Sequence, residues 1–309
     1  MDAVQEAWRI PVQGCPMYQV VEKLKRVKGV LRTLKKQGFG EAEKDLIQDT
    51  EEFSMIQDKL HENPGNIDCI EQERSARGKV QRAKKCVQAM LQQQAKLKWL
   101  KCGDENTKIF YQAIKARRRQ NSIHAIHNEQ GEWVETHDKV SKAFLEYYKN
   151  LFTSKEQKQV VLNPLLARGK FVTEEHKRIL MCPVDKEDVR RVMFSIPDDK
   201  APGADGFNSC FYKKCWEIVG DEVTEAILDF FKTGKLLKVI NITTLTLIPK
   251  THCPSNVTEF RPIACCSVLY KCITKLISEK LNKVLPDIVS YSQGAFVAGR
   301  SILHNVLLC

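Results

Sequence analysis

Lys250 and Arg261 stand eleven residues apart, each beside a proline at the end of an extended segment. Pro249 precedes the lysine and Pro262 follows the arginine, so the backbone is stiffened at both positions. An arginine offers phosphate oxygens a bidentate fork, whereas a lysine offers a point charge. If a hairpin brings these cations together, they could clamp a triphosphate, and we predict a nucleotide-binding pair. The alternative is two surface charges on an edge strand.

A second candidate site is the string KAPGADGF at residues 200–207. Its Pro-Gly and Asp-Gly pairs favour tight turns and let another backbone approach closely, as a loop against a phosphate backbone requires. The residues that we expect to contact nucleic acid there are Lys200, Gly203, Asp205 and Gly206. The alternative is a turn that only joins two helices.

Positive charge is concentrated in one segment of the chain. The whole protein has 309 residues and a net charge of +11, yet residues 74–119 alone hold fourteen Lys or Arg against two acids. No strongly apolar helix face accompanies this charge, so it favours RNA or DNA over a membrane as partner. A solvated helix face is the alternative. The expected nucleic-acid contacts in this segment are Arg74, Arg77, Arg82, Lys84, Lys85, Arg117, Arg118 and Arg119.

Patterns for metal binding and for export are weak. The twelve cysteines include no C-x-x-C pair, and Cys210 to Cys215 is the nearest approach to zinc-ligand spacing. We interpret them as reduced, buried thiols of an intracellular protein, nuclear or cytoplasmic. No signal peptide and no membrane-spanning stretch is recognisable. Asp198-Asp199 is followed directly by the KAPG loop, so we do not interpret it as a metal-binding hairpin, and we predict no metal or cofactor in this chain.

The elements that must position these residues are mainly helical. Apolar residues spaced three and four apart predict helices, and the longest of these helices is polar and arm-like. Alternating Thr and Leu residues predict a strand. Turn residues at 128–131 predict a small hairpin at 122–134. We predict a mainly α fold with a small β-sheet (α+β), divided into domains 1–155 and 156–309. The predicted helices cover about 20–38, 41–60, 67–100, 109–119, 140–151, 185–195, 219–233 and 268–285, and the predicted strand covers 242–248.

Several strings stand in the order found in plant LINE-type (non-LTR) retrotransposon reverse transcriptases. KAPGADGF resembles the family's K-A-P-G-P-D-G-F, and WLKCGDENT (99–107) and PVQGCPM (11–17) are similar to the family's linker between endonuclease and polymerase. The resemblance therefore extends over essentially the whole chain. The further matching strings are FFKTGKLL (230–237), LIPK (247–250), FRPI (260–263), YK (270–271) and QGAFVAGRSI (293–302).

The resemblance implies a long helical arm followed by a partial reverse-transcriptase fingers domain with its N-terminal extension. In that family the residues matching Lys250 and Arg261 face the incoming nucleotide, and the residue matching Arg300 lies near the template or the fingers. Mg²⁺ is bound by carboxylates in a D-x-x-K-A-Y-D strand and a Y-A-D-D hairpin, and neither string occurs here. We therefore expect Mg²⁺ only for the complete enzyme.

The function that the resemblance implies is that of a reverse-transcriptase (RNA-directed DNA polymerase) fragment that lacks the nuclease in front and the palm behind, and is inactive by itself. Template and primer would be its partners, and fingers without a palm would expose apolar surface and self-associate. Two alternatives remain, a non-catalytic RNA- or DNA-binding module and a decayed transposon reading frame. Ala204, Ala298 and His304 replace two family prolines and an acid, which favours decay.

Overall fold

The chain divides into two compact units in the computed structural model, which describes residues 1–38, 42–95, 107–153, 169–291, 293, 294, 297, 299 and 300. Unit 1 comprises Met1–Val27, Ile126–Val134 and Ser141–Cys309, and unit 2 comprises Lys28–Ala125 and Glu135–Val140. The domain boundary predicted at residues 155–156 lies outside the described residues and stays a prediction.

The described elements are mostly helices. The helices are α1 (Asp2–Arg9), α2 (Pro16–Gly38), α3 (Ala42–Glu62), α4 (Ile67–Ala95), α5 (Thr107–Asn121), α6 (His137–Thr153), α7 (Glu174–Met181), α8 (Lys186–Ser195), α9 (Ser209–Lys214), α10 (Trp216–Thr233), α11 (Val268–Asn282) and α12 (Leu285–Ile288), with a 3-10 turn at Val257–Glu259. The strands are β1 (Ile126–His127), β2 (Trp133–Val134), β3 (Thr244–Pro249) and β4 (Phe260–Cys265). Among the described helices, none is long and apolar enough to cross a membrane.

Unit 2 is built on a helical hairpin of α3 and α4. The four residues 63–66 reverse the chain, and the Asn66 side chain accepts hydrogen bonds from the first backbone N–H groups of α4, at Asp68 and Cys69. Although α4 is mostly polar, its sparse apolar positions are buried with Phe110 of α5 and partly buried Leu46 of α3. The arm-like helix predicted from the sequence therefore packs within its own unit.

Unit 1 has its core where α8, α10 and α11 meet. Val189, Val219 and Leu269, one from each of these helices, are completely buried. Local capping sets where the helices begin, because Asp185 and Ser267 accept hydrogen bonds from the N3 backbone N–H groups of α8 and α11. The start of α2 joins this core through the buried Lys23, whose Nζ lies 2.7 Å from Glu222 Oε1 of α10.

The sheets are two separate antiparallel pairs, β1 with β2 and β3 with β4. His127 of β1 donates its backbone N–H to Ser255 O at 2.9 Å, which attaches the β1–β2 hairpin to the loop between β3 and β4. Tyr148 of α6 donates to Phe260 O at 3.1 Å and so fixes the start of β4. The prediction of a mainly helical fold with a small amount of β-sheet is confirmed. The sheet content is two pairs, and the short helices α1, α7, α9 and α12 were not predicted.

Candidate nucleic-acid interface

The side of α4 that faces away from the core is basic. Ala76, Val80, Val87 and Leu91 of α4 are buried, and they mark the inward side of the helix. At 100° per residue, the opposite side carries three exposed cations, and none of them forms an ion pair within the described part of the chain. This outward stripe consists of Arg74, Arg82 and Lys85.

Two other cations predicted as contacts on α4 are already engaged. The Arg77 guanidinium lies 2.6 Å from Glu73 Oε1 in an i,i+4 pair on the same helix. Lys84, although exposed, interacts with another group of the protein. The cations predicted as contacts on α4 therefore form two groups. Those of the outward stripe face solvent, whereas Arg77 and Lys84 interact with other groups of the protein.

Helix α5 also presents cations outward. Phe110 is buried, and helical geometry places Lys108, Lys115 and Arg119 together on the side that faces away from it. Arg117 and Arg118 are exposed as well and crowd the last turn, where cations are favoured by the helix dipole. Ser122 Oγ donates to Arg118 O at 2.7 Å and caps this end. All three arginines predicted at 117–119 therefore face solvent.

Helix α3 has the opposite charge. It carries seven acids against two lysines, whereas α4 carries six cations against three acids. The two helices form one hairpin, so unit 2 is divided by charge along its helices. A polyanion is attracted to α4 and α5 and repelled by α3, which restricts the surface on which it can bind.

Lys250 and Arg261 lie on the same face of the β3–β4 hairpin. Ile248 pairs with Arg261, and Lys250 N–H donates to Glu259 O at 2.8 Å, one step beyond the ladder. Side chains alternate between faces, so Lys250 and Arg261 are diagonal neighbours, which places their backbones about 7–8 Å apart. Arg261 is exposed, whereas Lys250 Nζ donates to Thr258 O at 2.7 Å.

Arg300 is occupied by the main chain. Its guanidinium donates to Pro286 O at 2.7 Å and to Val289 O at 3.0 Å, and further to the carbonyls of Ser290 and Gln293. Pro286 O lies in α12 and Val289 O at its C-cap, whereas Ser290 and Gln293 follow the helix. In this conformation Arg300 fixes the end of α12 and offers few donors to a ligand.

The KAPG loop packs closely against the start of α11. A Cβ built on Gly203 would lie 2.4 Å from Ser267 N and 2.6 Å from Cys266 C, so only glycine fits there. Gly206 N–H closes the turn on Gly203 O at 3.0 Å, and Gly206 has a positive φ of 83°. Lys271 of α11, which was not predicted as a site residue, donates to Ala201 O at 2.6 Å.

The polar side chains of this loop point in different directions. Lys200 is exposed, whereas both carboxylate oxygens of Asp205 are shielded from solvent. Burial, and then the nearby Asp205 carboxyl, raise the pKa of Tyr212 well above its usual value. Asp205 therefore belongs to the interior under the loop, and Lys200 is the loop's outward cation.

The donor set for Mg²⁺ that a polymerase requires is not assembled in the described ranges. They contain no group of three or more His, Cys, Asp or Glu side chains that could hold a metal ion. Asp198 forms an ion pair with Lys213 at 2.7 Å and so acts as a local anchor. The cysteines of the described ranges form no disulfide.

The chain is similar in sequence to a transposon protein. No family model matches it. Over 205 residues, which is 66% of the chain, it is 26% identical to a Xenopus laevis protein named "Transposon TX1 uncharacterized 149 kDa protein". The match covers 16% of that protein, so the chain corresponds to a small part of its relative.

Proposed function

We propose that this chain is a fragment of a plant LINE-type (non-LTR) reverse transcriptase, comprising linker, N-terminal extension and fingers, that binds RNA or DNA. The ordered strings from KAPG to GRS support this proposal, as does the similarity to a transposon protein. The chain by itself does not polymerise DNA, because neither of the family's aspartate strings occurs in it. Mg²⁺ would be bound by palm carboxylates in the complete enzyme.

The observation that carries the proposal is the exposure of cations on the outward sides of α4 and α5. Nucleic-acid affinity comes largely from cations that neutralise phosphates and release counterions. Arg74, Arg82 and Lys85 form no ion pair within the described part of unit 2, so no internal partner has to be displaced. Such contacts with phosphates carry no sequence information, and the binding should be sequence-tolerant.

Fluorescence anisotropy with a labelled single-stranded RNA at several salt concentrations tests this function. Each cation that neutralises a phosphate contributes about 0.7 to the slope of log affinity against log salt for a single strand. The triple variant Arg74→Gln, Arg82→Gln, Lys85→Gln should therefore lower the slope by about 2 and bind more weakly at low salt.

A matched control removes the same charge elsewhere. Lys232, Lys235 and Lys238 are exposed lysines of unit 1, and replacing all three by Gln changes the net charge equally. This control should keep the wild-type slope because these lysines lie outside the proposed interface. Equal slopes for both triple variants, or an affinity that salt does not change, would show that the outward stripe of α4 is not the interface.

The pair Lys250 and Arg261 is our proposed contact for nucleotide phosphates. Its support is the shared face of the hairpin, where Lys250 would exchange Thr258 O for a phosphate oxygen. Deoxynucleoside triphosphate binding, measured by isothermal titration calorimetry, should weaken in Arg261→Gln and less in Arg261→Lys. Unchanged binding in Arg261→Gln would remove this residue from the site.

Primer extension tests the absence of polymerisation chemistry. With RNA template, DNA primer, triphosphates and Mg²⁺, the chain should extend no primer above a heat-denatured control. Robust extension would contradict the proposal, because it would require a carboxylate set that the motifs do not identify.

A further inference from the structure

The exposed aromatic side chain of Tyr291 in unit 1 lies beside two cations. Tyr291 is 78% exposed. Lys170 Nζ lies 5.2 Å from the centroid of the Tyr291 ring, and Arg300 Cζ lies 4.9 Å from it. Because so much of Tyr291 remains exposed, the two cations cover its ring only in part. We call Lys170, Tyr291 and Arg300 the aromatic platform.

The backbone on both sides of Tyr291 is held by Arg300. Its guanidinium donates to Val289 O and Ser290 O, which precede Tyr291, and to Gln293 O, which follows it. In addition, His176 Nε2 lies 3.2 Å from Asp287 Oδ2, which ties the start of α7 to α12. Tyr291 is therefore presented from an anchored segment, and little conformational entropy is lost when a ligand stacks on it.

The chemistry of the aromatic platform matches a nucleotide with an unpaired base. An aromatic ring stacks on any nucleobase, and a neighbouring cation neutralises the phosphate, a combination typical of single-strand binding. Bases in a duplex are stacked on each other and cannot reach the ring. We propose that the aromatic platform binds one unpaired base of single-stranded RNA or DNA, with Tyr291 as the stacking residue and Lys170 as the phosphate contact.

This proposal does not depend on the outward stripe of α4, which belongs to unit 2. The stripe should affect single strands and duplexes alike, since both present phosphates. The aromatic platform should affect single strands only. An acidic peptide could form an ion pair with Lys170, but it offers no flat aromatic surface to Tyr291. Competition with an acidic peptide therefore distinguishes a peptide ligand from nucleic acid.

The test compares variants of the full chain for binding to one sequence as single-stranded RNA, single-stranded DNA and duplex. Tyr291→Ala should weaken binding to both single strands by about 5- to 150-fold, the effect of losing one stacked base, and should leave duplex binding within about two-fold. Tyr291→Phe keeps the ring and should bind as the wild type does. Phe152→Ala is the matched control, since Phe152 is an exposed aromatic of the same unit at 61%.

Photocrosslinking gives a second readout that a merely structural role would not change. An oligonucleotide with 5-iodouracil should crosslink to the peptide that contains Tyr291, as identified by mass spectrometry. The proposal is overturned if Tyr291→Ala melts as the wild type does and binds single strands equally well, or if it weakens duplex and single-strand binding equally. Competition by polyglutamate as strong as that by the oligonucleotide would also overturn it. Failure of the stripe variants alone would leave the aromatic platform standing.

Discussion

Gly203 is the residue whose replacement should most directly reveal how the KAPG loop is packed. A Cβ at this position would lie 2.4 Å from Ser267 N, 2.6 Å from Cys266 C and 2.7 Å from Ser267 Cα. All three neighbours are backbone atoms, so no side-chain rotation can relieve the contact. Gly203→Ala must therefore move either the loop or the start of α11.

The size of the effect follows from these contacts. Overpacking of a close-packed site costs about 1–3 kcal/mol, and backbone neighbours place this site near about 3 kcal/mol. For a domain the size of unit 1, each kcal/mol lowers Tm by about 2–4 °C, so we expect a decrease of about 6–12 °C. The hydrogen bond from Lys271 to Ala201 O would be strained by the same shift.

Urea unfolding followed by tryptophan fluorescence is a suitable assay. Trp8, Trp133 and Trp216 belong to unit 1, so the signal reports mainly on that unit. Gly78→Ala is the control of opposite sign, because a Cβ at Gly78 in α4 meets nothing within 4 Å. Alanine is the better helix former, so Gly78→Ala should stabilise unit 2 by about 0.5–1 kcal/mol, seen by circular dichroism. A Gly203→Ala variant with the wild-type urea midpoint would refute the close packing of loop and helix.

Three further measurements test the core of unit 1. Lys23→Ala should lower the free energy of unfolding of unit 1 in urea by about 1–3 kcal/mol, because Glu222, with only 34% of its side chain exposed, loses its partner. The control Lys25→Ala breaks an exposed ion pair and should change this free energy by less than about 0.5 kcal/mol. Equal effects of the two variants would contradict the burial of the Lys23–Glu222 pair. Burial raises the pKa of the Cys272 thiol from 9.0 to about 12. Because the unfolded chain loses this proton at lower pH than the folded chain, the free energy of unfolding should fall as the pH rises from about 9 to about 12, and Cys272→Ala should reduce this fall. Iodoacetamide should modify the exposed Cys182 in the native protein and Cys272 only after denaturation, as read by mass spectrometry.

The longer elements could be predicted because their signals are local. The glycine at 38 and the Asn-Pro-Gly turn at 63–65 bound α2, α3 and α4 where the structure has them. Helices α7 and α9 have only eight and six residues, too few for apolar periodicity, and they depend on caps from Thr173 and Asn208. In a sequence, a Thr or Asn that caps a helix cannot be distinguished from any other polar residue until the helix that follows is known.

The sequence was sufficient to predict which cations the candidate interface contains, but not which of them are free to contact a ligand. The cationic residues of α4 and α5 are evident from the sequence, and the i,i+4 spacing of Glu73 and Arg77 even indicates their pair. The engagement of Arg300 was not evident, because its acceptors are main-chain carbonyls seven to fourteen residues earlier. Tyr291 was missed for a similar reason, since its flanking Lys170 is distant in sequence.

The topology of unit 1 has a consequence for how the protein is made. The ion pair between Lys23 and Glu222 joins residues 199 apart, and the hydrogen bond from Tyr148 to Phe260 joins residues 112 apart. At a synthesis rate of about 5–20 residues per second, Lys23 waits roughly 10–40 s for its partner. The contacts between α3 and α4 join residues that are close in sequence, for example Lys79 and Glu52, so this hairpin can form on the ribosome during that interval. The first helices of unit 1 then remain exposed to chaperones and proteases until α10 has been synthesised.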